Sequence, residues 1–251
     1  LYRRLRALER AFPAALHGEV DGLHRTRVAS RRLREALPVL GAALPAGKLG
    51  KTTRRMRRIT RALGPVRELD VELALLAEVE RADPAHRIAI EQVRQQVHRA
   101  REGVREEMLE RLESIKVGKL IRKLKSVPDA LDDQPSVRVW EGWWAAIAGR
   151  VTRRADRLQQ AIEAAGAIYL PDRLHVVRVA VKKLRYGLEL MREMSRSRAS
   201  ADIKVLKTVQ DTLGRLHDLE VLIDRARALQ GSFEPPDLSV LADLDTLVRA
   251  P

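Results

Sequence analysis

The chain has 251 residues, room for one large domain or two small ones, and its 48 Lys and Arg against 34 Asp and Glu give a formal net charge of +14. A 45% hydrophobic content is enough for a core and excludes wholesale disorder, while 3% aromatics weigh against base-stacking single-strand binders. With no cysteine there is no disulfide framework, thiol nucleophile or Cys-based zinc site, and no apolar run approaches the ~18 residues of a membrane span, so a cytoplasmic protein without membrane contact is expected.

Ala, Leu, Arg and Glu dominate, and β-branched residues rarely alternate with polar ones, so the predicted class is all-α. In chain order, the predicted helices cover 2–17, 20–43, 48–63, 66–82, 85–126, 137–166, 173–197, 200–213, 215–230 and 237–249. Gly64-Pro65 marks a break, because proline cannot continue a helix but starts one well. Asp83-Pro84, Pro171-Asp172 and Pro235-Pro236 punctuate in the same way, and Pro128 to Pro135, with three aspartates between, reads as a linker. Glu102, Glu106 and Glu107, among arginines, read as a solvated helix face.

The charge is concentrated. Residues 1–75 hold 17 Lys and Arg against 7 Asp and Glu, whereas residues 76–140 hold 13 against 12 and residues 141–251 hold 18 against 15. A basic N-terminal third calls for an anionic partner rather than a generally basic surface.

Self-comparison is more informative. Residues 23–34 read LHRTRVASRRLR and residues 174–185 read LHVVRVAVKKLR; residues 63–71 read LGPVRELDV and residues 213–221 read LGRLHDLEV. Two blocks recurring in the same order at nearly the same offset point to a duplicated helical unit. The expected architecture is therefore one domain over 1–251, with a first helical repeat at 1–127 and a second at 136–251, as two related helical bundles packed about a pseudo-two-fold axis.

On a helix at about 100° per residue, His24, Arg27, Arg31 and Arg34 fall within roughly 80°, opposite Ala29, Leu33, Ala36 and Leu37. The same spacing groups His175, Arg178, Lys182 and Arg185. Arg54, Arg57, Arg58 and Arg61 form a further row spanning about 100°, with Lys204 and Lys207 as its thinner counterpart. Arg27 has Leu23 and Arg31 at i±4, so these rows are expected to lack acidic partners. Stacked cations repel one another; a linear polyanion relieves the repulsion, and Arg matches phosphate oxygens bidentately. His24 and His175 read as structural histidines, general acids or phosphate contacts; their place at the head of a cationic row favours phosphate contact, and no HExxH or comparable spacing offers the further ligands zinc needs.

Glu68 and Asp70 match Asp218 and Glu220 in the second block. Their expected role is structural, as first-turn carboxylates after Gly64 and Gly214 or as ion-pair partners for nearby arginines. No Walker A loop, GxSxG elbow or GxGxxG fingerprint is present.

The paired blocks His24 to Arg34 and His175 to Arg185, with LGPVRELDV and LGRLHDLEV, resemble the CHAD family, the conserved histidine α-helical domain, over nearly the whole chain. The resemblance implies two four-helix bundles related by pseudo-symmetry and a non-enzymatic module, without cofactor or metal, that binds inorganic polyphosphate along a basic groove. It also implies association with polyphosphate granules and a frequent partnership with a CYTH triphosphate-tunnel domain, of which no segment is visible here. The residues that carry over are His24, Arg27, Arg31, Arg34, His175, Arg178, Lys182 and Arg185, followed by Arg54, Arg57, Arg58, Lys204 and Lys207. Nucleic-acid binding is the secondary alternative, although no helix-turn-helix signature stands out. A metal-dependent polyphosphate hydrolase using Glu68, Asp70, Asp218 and Glu220 is the remaining one.

Overall fold

The computed structural model describes residues 2–40, 46–125, 137–195 and 199–231, with 242, 243, 245, 246 and 248 near the end. Among them every regular element is helical. The helices are α1 (Tyr2–Leu16), α2 (Val20–Leu40), α3 (Ala46–Ala62), α4 (Gly64–Ala82), α5 (Arg87–Ile115), α6 (Val117–Lys125), α7 (Val137–Ala165), α8 (Pro171–Ser195) and α9 (Ser200–Gln230), with a 3-10 turn at Pro84–His86 before α5. The expected linker at 128–135 and the expected helix at 237–249 lie outside, or almost wholly outside, the described residues.

Two boundaries differ from expectation, each for a physical reason. The long helix expected over 85–126 is broken at Lys116, whose φ of 52 is left-handed. Ile115 and Val117 are both 3% exposed; two residues apart on a continuous helix they would point about 200° from each other, and the kink lets both reach the core. The break expected at Gly214 is absent, and α9 runs through it. A lone helical glycine costs only about 1 kcal/mol. Packing of Leu206 and Leu213 before it and of Leu222 and Ala226 after it outweighs that cost. As a result Asp218 and Glu220 lie mid-helix, and Glu68 and Asp70 lie beyond the first turn of α4, so the first-turn reading of these carboxylates does not hold.

The chain divides into two compact units. One comprises Leu1–Leu63 and Arg111–Gly214, the other Gly64–Glu110 and Arg215–Pro251. These are not the two sequence halves, since each unit draws chain from both.

In the first unit, α1 and α2 form a hairpin around Gly18, which adopts φ 77 as the two helices turn. Leu5 and Leu8 of α1, Leu23, Leu33 and Leu37 of α2, and Met56 and Ile59 of α3 are fully buried, each contributing about 1.5–3 kcal/mol by leaving water. Ala36 and Val39 of α2 pack with Ile147 of α7 and Leu190 of α8. Ala161 and Ala165 of α7 pack with Val177, Ala180 and Val181 of α8. The predicted apolar stripe of α2 is thus the buried one, and the stripe of α8 follows the same plan.

The second unit is built from α4, α5 and the end of α9 around Leu75, Leu76, Ile90, Val93 and Leu222. Buried carboxylates tie it together: Arg101 donates to Asp70 at 2.7 Å, and Arg225 donates to Glu72. Asp70, one of the four carboxylates singled out in the sequence, is therefore engaged as an ion-pair partner. Glu102, Glu106 and Glu107 are exposed on α5, as expected of a solvated face.

Candidate functional site

All thirteen cationic residues expected at the site, His24, Arg27, Arg31, Arg34, Arg54, Arg57, Arg58, His175, Arg178, Lys182, Arg185, Lys204 and Lys207, belong to the first unit. The core shared by α2, α7 and α8 brings the two copies of the repeated motif together. At their meeting point Lys182 of α8 is half-buried. Burial first, then Arg31, Arg178, Arg27 and Arg34, lower its ammonium from the ordinary lysine value to about 8. Arg34 is displaced in the same direction, by burial and then by Arg31 and Arg57, with the adjacent Glu35 opposing. Cations from α2, α3 and α8 therefore share one electrostatic neighbourhood. The Nε of Arg178 is buried with no hydrogen-bond partner among the described residues.

The other expected residues divide by position. Arg54, Arg57 and Arg58 are exposed on α3, and Arg58 donates to Ser114 Oγ at 3.2 Å. Lys204 and Lys207 are exposed on α9 and are not among the four cations acting most strongly on Lys182. His24 is exposed on α2. His175 is exposed on α8, where it lines a groove between α7 and α8. His175 thus lies at the margin between the cationic row and that groove.

One expectation is overturned. The rows do have acidic neighbours at helical spacing. Arg185 donates to Glu189 one turn along α8, to Gln210 Oε1 at 3.1 Å, and lies over the Tyr186 ring at 4.8 Å. The second oxygen of Glu189 faces Arg32 at 3.3 Å. Glu35, at i+4 from Arg31, is held from α7 by Arg150 at 3.1 Å and by Arg154. Arg185 is thus occupied in the frame of the site, whereas the ion pairs of Glu35 run to α7 rather than to its own row.

The family model for the CHAD domain matches residues 1–227. The chain belongs to the CHAD domain family. A search of curated proteins returns no match. Among solved structures, the crystal structure of the CHAD domain from the plant Ricinus communis is similar in fold, at 24% identity and a TM-score of 0.63, covering 98% of this chain and 81% of that one.

Within this CHAD chain, sequence reasoning missed the residues that hold the cationic wall in place: Glu35, Arg150, Arg154, Glu189 and Gln210. The Arg185 to Glu189 spacing was readable as an i,i+4 pair. Glu35 with Arg150 and Arg154 was not, since those partners lie more than a hundred residues apart.

Proposed function

We propose that this CHAD-family chain binds inorganic polyphosphate, as a non-catalytic module, on the face where α2, α3 and α8 present their cations. The observation that carries the reading is the cluster around Lys182. Burial first, and then Arg31, Arg178, Arg27 and Arg34, drawn from both copies of the repeated motif, depress the Lys182 ammonium to about 8. Assembling four guanidinium groups around a half-buried amine is unfavourable in the unliganded protein, and a polyanion with a charge on every phosphate reverses the sign of that term. Guanidinium forks suit phosphate oxygens, and an unbranched chain of phosphates can satisfy several forks in succession. Such a module would recruit its host to polyphosphate granules.

The test is direct binding of size-graded polyphosphate against tRNA and duplex DNA at two salt concentrations. Affinity should rise with chain length and fall with salt as counterions are released. The combined Arg27→Glu, Arg31→Glu and Arg178→Glu variant should fold and lose binding, because none of the three belongs to an apolar core. Normal binding of long polyphosphate by that variant would overturn the reading. Efficient displacement of polyphosphate by DNA or RNA, without the reverse, would assign the site to nucleic acid instead.

A further inference from the structure

A groove of about 590 Å³ runs between α7 and α8 and meets the cationic row of α8 only at His175; Arg178, Lys182 and Arg185 do not line it. Its floor is small and apolar, formed by Ala161, Ala164, Val179 and Ala180. Arg154 bridges one end by donating to the Lys183 carbonyl at 2.7 Å, and Arg173 closes the other by donating to the Ala164 carbonyl at 3.0 Å.

The two ends differ in chemistry. At the first, Arg157 and Lys183 are exposed and join no carboxylate among the described residues. At the second, Val176 lines the groove and is 57% exposed, and the segment joining the helices exposes Ile168 at 75%, Tyr169 at 53% and Leu170 at 37%. Neighbouring exposed apolar side chains of this size usually mark a contact surface. From Arg154 to Ala164 the groove spans about 15 Å of α7, the length of a helix of about ten residues, and an alanine floor lets a helix backbone approach closely.

We propose that this groove docks an acidic amphipathic helix of a partner protein, its carboxylates at Arg157 and Lys183 and its apolar residues over Val176 and Val179. Charge selects this occupant over a second copy of the chain, which carries +14 and would meet the cationic end with like charge. The docking mode is an apolar helix face laid in a groove, with charge setting orientation.

The probe is a synthetic three-turn helical peptide with leucines on one face and glutamates clustered at one end. Controls are its scrambled sequence and a version with lysines in place of the glutamates, all titrated by fluorescence anisotropy. The acidic helix should bind and both controls should not. Joint Arg157→Glu and Lys183→Glu changes, or Val176→Asp alone, should each weaken binding by about tenfold or more, close to 1.4 kcal/mol; all three positions are exposed, so the fold is kept. Arg31→Glu should leave peptide binding unchanged, which separates this surface from the polyphosphate site.

Equal binding of the scrambled peptide, no binding at all, or loss of binding in Arg31→Glu would overturn the proposal. So would self-association in sedimentation that Val176→Asp abolishes, or flotation with phosphatidylserine vesicles dependent on Val176, since either would assign the groove to another occupant.

Discussion

Arg185 donates to Glu189, one turn further along α8, and the Glu189 side chain is only 7% exposed. The same carboxylate faces Arg32 from α2, so one buried anion joins the two helices that carry the repeated motif. Removing it leaves two guanidinium groups without their counter-charge next to a cluster that is already cationic. Breaking one side of a buried pair costs about 3–5 kcal/mol; with Arg32 partly solvated, the lower end applies. Glu189→Ala should therefore lower the urea midpoint by the equivalent of about 3 kcal/mol, and Glu189→Gln by less, because an amide oxygen still accepts. Arg185→Ala should weaken polyphosphate binding less than Arg31→Ala, since Arg185 is already committed to Glu189, Gln210 and Tyr186.

Much of this arrangement is legible in the amino-acid sequence, because helix periodicity is a local property. The buried stripe Ala29, Leu33, Ala36 and Leu37 and the cationic row Arg27, Arg31 and Arg34 follow from spacing alone. So does the pairing of α2 with α8 as copies of one element. What spacing does not carry is partner choice across elements. Nothing around Glu35 announces Arg150 and Arg154, and nothing around Asp70 announces Arg101, because those contacts depend on how helices pack. Gly214 misleads for a related reason. Its intrinsic cost is local and small, while the packing that overrides it comes from residues on either side that meet separate cores. The kink at Lys116 is also set by packing, where Ile115 and Val117 compete for the same interior.

The α1–α2 hairpin supplies a stability prediction independent of charge. Gly22 faces α1 so closely that an added Cβ would meet the backbone carbon of Ala14 at 2.6 Å and the nitrogen of Ala15 at 2.7 Å. Backbone cannot yield as a side-chain tip can, so the helices must separate. Overpacking of this kind costs about 1–3 kcal/mol. Gly22→Ala should reduce stability by that amount in chemical denaturation. Gly214→Ala, which meets nothing within 4 Å, should be neutral or stabilising, by up to about 1 kcal/mol from helix propensity.

Salt dependence separates residues that touch phosphate from residues that only add to the field. For a polyanion, the slope of log affinity against log salt falls by roughly 0.7–0.9 for each phosphate contact removed. Arg31→Ala and Arg178→Ala should each flatten that slope by about one such unit when titrations are repeated across salt. Arg99→Ala, an exposed change on α5 in the other unit, should leave it unaltered. Equal flattening by all three would mean that diffuse charge, not the α2–α8 cluster, holds the ligand.

Lys182 makes both folding and binding pH-dependent, with signs that follow from the direction of its shift. Burial, Arg31 and Arg178, then Arg27 and Arg34, hold its ammonium near 8 in the folded chain, against an ordinary lysine value of 10.5. Below pH 8 both folded and unfolded chains carry the proton, and the penalty of confining the charge is present in full. Between 8 and 10.5 the folded amine has released a proton that the unfolded chain keeps, so this residue's contribution to stability rises with pH across that window. Binding runs the other way. A phosphate beside Lys182 favours the charged form, so polyphosphate should bind with proton uptake, and affinity should fall as pH is raised through about 8 towards 9.5. Calorimetry in two buffers of different ionisation enthalpy reads that uptake directly. Lys182→Arg keeps the charge at every pH in this range. It should bind with little pH dependence and no buffer-dependent heat, while Lys204→Arg, on exposed α9, should behave as the parent chain. Proton uptake that persists undiminished in Lys182→Arg would place the titrating group elsewhere.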